Sequence, residues 1–174
     1  MDFEQLPSVK LDEYLHMIEL KTSVLLAASL KMGGILGGAG ERNQNLLYEF
    51  GRKLGIAFQV QDDYLDAFGD PQKFGKQIGG DILANKKTFL LIHAMETANT
   101  AQLEELKHWM GGNAANKVEQ VVRLFREVKV DEWALELKNK YLDEALEHLE
   151  DIAVLSKRKQ PLAELARFLV QREH

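Results

Sequence analysis

Asp62, Asp63 and Asp66 form the pattern D-D-x-x-D directly after residues 54–61, a stretch that carries no charge. On a helix, positions 62 and 66 lie one turn apart on the same face, with 63 beside them. Three carboxylates so close repel one another unless a hard cation compensates. Mg²⁺ suits such a group, because it takes oxygen ligands, keeps some of its waters and is usually shared with substrate phosphates. Acidic clusters on helices are also commonly solvated faces, and the pattern alone leaves that reading open.

The surroundings add to the first reading. Gln59 sits one turn before Asp62 and Asp63. Downstream, Gly75-Lys76-Gln77-Ile78-Gly79-Gly80-Asp81 joins a lysine to flexible backbone able to approach an anion. Lys86 and Lys87 fall where a third helix is expected to open. Cations there oppose the helix dipole, and a bound phosphate would compensate. Lys21-Thr22 interrupts a largely apolar helix. A lysine there either has a partner or snorkels to solvent, and the residues alone favour neither.

The elements that must position these groups are helical. The 174 residues contain 43 Leu and Ala against 21 Val, Ile and Thr, and no stretch alternates in the strand manner. The fold class expected is all-α, a single domain over 1–174. Periodicity predicts helices over about 11–36, 42–68, 85–98, 102–110, 114–129 and 131–152. A last helix is expected from about Gln160, with Pro161 in its first turn and Leu162, Leu165, Phe168 and Leu169 facing inward. Asn113 and Asp131 are expected as helix caps. Residues 22–30 and 54–61 lack charge altogether and are expected to be buried all round. Shell helices after residue 100 cannot cover all of that surface, so self-association is expected. A net charge of −5 argues against nucleic acid as partner. The absence of cysteine excludes disulfides, thiolate metal sites and a cysteine nucleophile. No apolar run approaches the ~20 residues of a membrane span. Nor does the N-terminus read as a signal peptide, so the expected compartment is the cytoplasm. The five histidines share no ligand spacing.

Taken in order, Tyr14-x-x-Met17-Ile18-x-Leu20-Lys21-Thr22, Phe58-Gln59-Val60-Gln61-Asp62-Asp63-Tyr64-Leu65-Asp66, Gly75-Lys76-x-x-Gly79-x-Asp81 and Asn85-Lys86-x-Thr88 closely resemble the trans-isoprenyl diphosphate synthases, or polyprenyl synthetases. The resemblance implies a helical bundle around a central cavity, in which two aspartate-rich motifs face each other. Asp62, Asp63 and Asp66 match the second motif, which holds Mg²⁺ against an allylic diphosphate. Lys21, Lys76 and Lys86 match lysines at that diphosphate. Thr22 and Gln59 match positions whose oxygens face the developing allylic cation, and Phe58 matches a residue beside isopentenyl diphosphate. The implied activity is short-chain prenyl transfer, farnesyl or geranylgeranyl, by a homodimer. The family's first aspartate-rich motif precedes its Lys-Thr pair, and the twenty residues before Lys21 contain none. The chain therefore resembles the C-terminal part of a synthase and is expected not to turn over alone. The alternative is a non-catalytic half that binds Mg²⁺–diphosphate.

Overall fold

The computed structural model describes residues 9–70 and 78–171, and among these the regular structure is entirely helical. In chain order come α1 (Leu11–Ile18), a π-helical turn (Glu19–Ser23), α2 (Val24–Leu36), α3 (Glu41–Phe68), α4 (Gly80–Leu83), α5 (Phe89–Thr97), α6 (Thr100–Gly111), α7 (Lys117–Glu127), α8 (Val130–Glu150) and α9 (Ser156–Gln171). The described residues fall into two compact units: one built from 9–14, 62–70 and 78–135, the other from 15–61 and 136–171.

The second unit packs α3 against α8 and α9. Phe50, Leu54 and Ala57 meet Leu142, Ala145 and Leu149, with Ala166 and Val170 closing the cluster. Gly51 and Gly55 let α3 approach the preceding helix until added Cβ atoms would lie 2.8 Å from Ala27 Cα and 2.6 Å from Ser23 Cα. That contact explains two glycines one turn apart in a long helix. Ser23 Oγ is buried there with no hydrogen-bonding partner among the described residues, an added cost of about 1–3 kcal/mol. Lys159, 6% exposed, donates to the carbonyls of Glu150 (2.5 Å) and Ile152 (3.4 Å), closing the C-terminal end of α8.

Burial corrects the expectation for residues 22–30. Along the N-terminal helix the buried positions are Tyr14, Ile18, Ser23 and Ala27, spaced four, five and four apart. The five-residue step falls on the π turn, whose extra residue rotates everything after it by about 100°. Leu25 (74% exposed), Met32 (57%) and Leu36 (89%) consequently face outward. Residues 54–61 come closer to the expectation: Leu54, Ile56, Ala57 and Val60 are buried, while Phe58 and Gln59 are half-buried.

Other expectations shift at helix ends. α9 begins four residues before Gln160, leaving Pro161 inside it, and its buried stripe is Lys159, Ala166 and Val170. Leu165 and Phe168 point outward, because the small residues Ala163 and Ala166 are the ones that let α9 approach the core. α7 starts at Lys117 after Asn116, not after Asn113, and Asp131 lies inside the first turn of α8. Asn99 and Gln102 exchange the reciprocal bonds of a capping box at α6.

In the first unit, Phe89, Leu90, Leu91 and Ile92 of α5 are buried with Leu106 of α6 and Val121, Leu124 and Phe125 of α7. The His93 ring stacks on Trp133, centroids 3.6 Å apart and planes 8° from parallel, and burial holds its pKa below the ordinary value. No described helix is long and apolar enough to cross a membrane.

Candidate active site

The last two turns of α3 carry Asp62, Asp63 and Asp66 into the first unit. The Tyr14 hydroxyl donates to Asp63 Oδ2 at 2.5 Å. Asp66 Oδ2 accepts the backbone N–H of Asp81 at 3.0 Å, and the Asp66 carbonyl accepts that of Gly79 at 2.6 Å. α3 is thereby tied to the glycine turn that opens α4. Gly79 has φ +77°, and a Cβ there would overlap the Val118 side chain, so only glycine fits. Asp81 in turn accepts from Lys86 Nζ at 2.5 Å, while the Lys86 N–H donates to the Asp81 carbonyl at 2.9 Å. Lys86 and Lys87 precede α5 rather than opening it. The cap is Thr88, whose hydroxyl accepts the Leu91 N–H, so the expected dipole conflict at these lysines does not arise.

Three carboxylates, Asp81, Asp66 and Asp63, therefore act on one lysine, Lys86, and Asp62 acts on Asp63. Burial pushes the Asp63 carboxyl up to about 7, and repulsion from Asp81, Asp62 and Asp66 adds to the shift against the opposing Tyr14 hydrogen bond. Burial also raises Asp66, opposed chiefly by the Asp81 N–H, and raises the Tyr14 hydroxyl beside Asp63. Because folding holds the Asp63 proton more tightly than the unfolded chain does, its contribution to stability falls as pH rises from the ordinary carboxylate range to about 7. A bound divalent cation would oppose this loss. An all-oxygen, negatively charged donor set fits Mg²⁺. Among the described residues no three His, Cys, Asp or Glu side chains come together so as to hold a metal ion.

In the second unit, Lys21 and Thr22 fall within the π turn, an irregularity frequent at functional sites. Thr22 Oγ1 donates to Gln59 Oε1 at 2.6 Å, so the structure pairs the two residues expected to present neutral oxygens. Lys21 is exposed, and Phe58 is half-buried on α3 one residue before Gln59. Lys76 lies outside the described residues.

Sequence reasoning did not single out Tyr14 or Asp81 as site residues. Asp81 carried a signal, as an acidic residue closing a glycine-rich loop. Tyr14 lies 49 residues from Asp63 and carried none beyond its motif.

The polyprenyl synthetase family profile matches residues 1–128. The short chain isoprenyl diphosphate synthase of Methanothermobacter thermautotrophicus is 34% identical over 174 residues, covering 100% of this chain and 53% of the relative. The geranylgeranyl diphosphate synthase of Saccharolobus solfataricus is 36% identical over 175 residues, covering 99% and 52%. Among solved structures, geranylgeranyl pyrophosphate synthetase from Pyrococcus horikoshii superposes with a TM-score of 0.89 at 34% identity, covering 98% of this chain and 52% of that one. The chain belongs to the polyprenyl synthetase family. It spans about half the length of the curated relatives it matches.

Proposed function

We propose that this chain supplies the allylic-diphosphate half of a trans-prenyltransferase site, which condenses an allylic diphosphate with isopentenyl diphosphate in the cytoplasm. The observation that carries this reading is the carboxylate cluster around Lys86, with an Asp63 carboxyl held near neutrality by burial and like charges. Asp62, Asp63 and Asp66 would hold Mg²⁺, which when bound neutralises charge on the leaving diphosphate. Lys21, Lys76 and Lys86 take diphosphate oxygens as fixed positive charges. Thr22 and Gln59, bonded to each other, offer oxygen dipoles to the carbon that becomes positive, and Phe58 borders the isopentenyl group. The relatives named above are short-chain and geranylgeranyl synthases, which favours a geranylgeranyl over a farnesyl product.

Titration of the chain with inorganic pyrophosphate, by calorimetry, tests the reading directly. Binding is expected with Mg²⁺ and absent without it. Identical heats in the two conditions would contradict the metal-bridged site.

Self-association forms part of the proposal. Leu25, Met32, Ile35 and Leu36 leave an apolar face on α2, and each 100 Å² of it left in water forgoes about 2.5 kcal/mol. Light scattering at micromolar concentration is expected to show a dimer or larger species. A monodisperse monomer that binds no hydrophobic dye would refute this.

A further inference from the structure

Lys117 is the first residue of α7, and its side chain is 1% exposed. Its ammonium donates to Asn85 Oδ1 at 2.6 Å and to the Met110 carbonyl at 3.1 Å, both neutral acceptors. A buried cation at the positive end of a helix is poorly placed for stability, and a methionine of similar length would fill the space without that penalty. Its partner is also unusual. Asn85 has φ +55°, one of two described non-glycine residues in the left-handed region. Both unfavourable features converge on a single turn. In that turn the Asn85 N–H reaches the Ile82 carbonyl and the Lys86 N–H reaches the Asp81 carbonyl, delivering Lys86 Nζ to the Asp81 carboxylate. The next residue of α7, Val118, packs on Gly79 at the other end of the same segment. The start of α7 is therefore a back plate for residues 79–86.

We propose that Lys117 is a positioning residue of the diphosphate site: by clamping Asn85 in its left-handed conformation, it sets the turn that aims Lys86 at the carboxylate cluster. The inference rests on the function proposed above and assigns it a residue that touches neither metal nor substrate. Lys117 acts through Lys86, so its effect vanishes when Lys86 is gone. A purely structural lysine would show no such dependence.

The test compares Mg²⁺-dependent binding of inorganic pyrophosphate, by calorimetry, in the unaltered chain, Lys117→Met, Lys86→Met and the double variant, with thermal unfolding alongside. Lys117→Met is expected to weaken binding about tenfold, the scale of outer-shell substitutions, with an unfolding temperature no lower than that of the unaltered chain. The double variant is expected to bind no more weakly than Lys86→Met alone. Should Lys117→Met fail to fold, Asn85→Gly removes the same clamp while keeping a left-handed backbone accessible, and the same loss and non-additivity are expected. If the unaltered chain does not bind Mg²⁺–pyrophosphate, the proposed function fails and this inference with it. If it binds, and Lys86→Met weakens it, the inference alone is overturned in two cases. One is that Lys117→Met, or Asn85→Gly in its place, has no effect. The other is that its loss adds in full to that of Lys86→Met.

Discussion

Asp62→Asn, introduced into an active synthase that carries these residues, is expected to lower kcat by about two to three orders of magnitude, the range seen when one preorganised electrostatic group is removed. The substitution keeps shape and hydrogen-bonding capacity and removes one negative charge. At this site that charge has a specific use. Burial, with repulsion from Asp81, Asp62 and Asp66 adding to it, already pushes Asp63 to about 7, so the protein tolerates an unfavourable electrostatic arrangement in its folded state. Relieving the repulsion should leave the fold at least as stable, while any cation held there loses a ligand. The expected signature is therefore a large fall in rate with an unchanged or slightly raised unfolding temperature. Asp151→Asn, at an exposed position beyond α8, serves as the charge control and is expected to be silent. Near-normal rates for Asp62→Asn would show that the residue has no part in holding the metal.

Gly55→Val should be the most damaging single substitution for the second unit. Helix propensity alone predicts the opposite sign, because replacing a helical glycine gains up to about 1 kcal/mol. Space decides the outcome. An added Cβ meets Ser23 Cα at 2.6 Å, Ser23 Oγ at 2.7 Å and Ser23 Cβ at 2.8 Å, and a Cα cannot swing away as a side-chain tip can. Overpacking of this kind costs about 1–3 kcal/mol for one methyl group. Valine adds two further methyls against the same backbone, and a domain has only about 5–15 kcal/mol in total. Gly33→Ala on α2 provides the contrast, since nothing lies within 4 Å of its Cβ position, and it should stabilise by about 0.5–1 kcal/mol. Chemical denaturation of both variants reads the two signs. Equal effects at the two positions would mean that the α3 contact at Ser23 does not constrain the fold.

Much of this structure was legible in the chain because it depends on periodicity and spacing. The bounds of α3 and the helical stretch over 11–36 follow from where charges and glycines stop a regular apolar pattern. Thr22 and Gln59 were marked as site residues through the family resemblance alone, and the hydrogen bond between them was not foreseen. What escaped depends on through-space partners or on local departures from regularity. Leu165 and Phe168 look like core residues by type, but the smaller Ala163 and Ala166 allow the closer approach of helices. Tyr14 reaches Asp63, and Lys117 reaches Asn85, across 49 and 32 residues that no local pattern connects. The left-handed turn at Asn85 is recorded in the sequence only as an asparagine.

The five-residue step between Ile18 and Ser23 has a further consequence for this helix as an inherited object. A π turn is a one-residue insertion that a helix has absorbed without breaking, and its effect is angular. Every residue after Ser23 faces the direction that its N-terminal neighbour would face in an unbroken α-helix. The two small residues that meet Gly51 and Gly55, Ser23 and Ala27, reach α3 only because of this offset. An ideal α-helix that kept all five residues of this turn would instead bring Thr22 and Leu26 toward the glycines. The irregular turn and the glycine pair therefore work as one device: with every residue present, the close contact needs both.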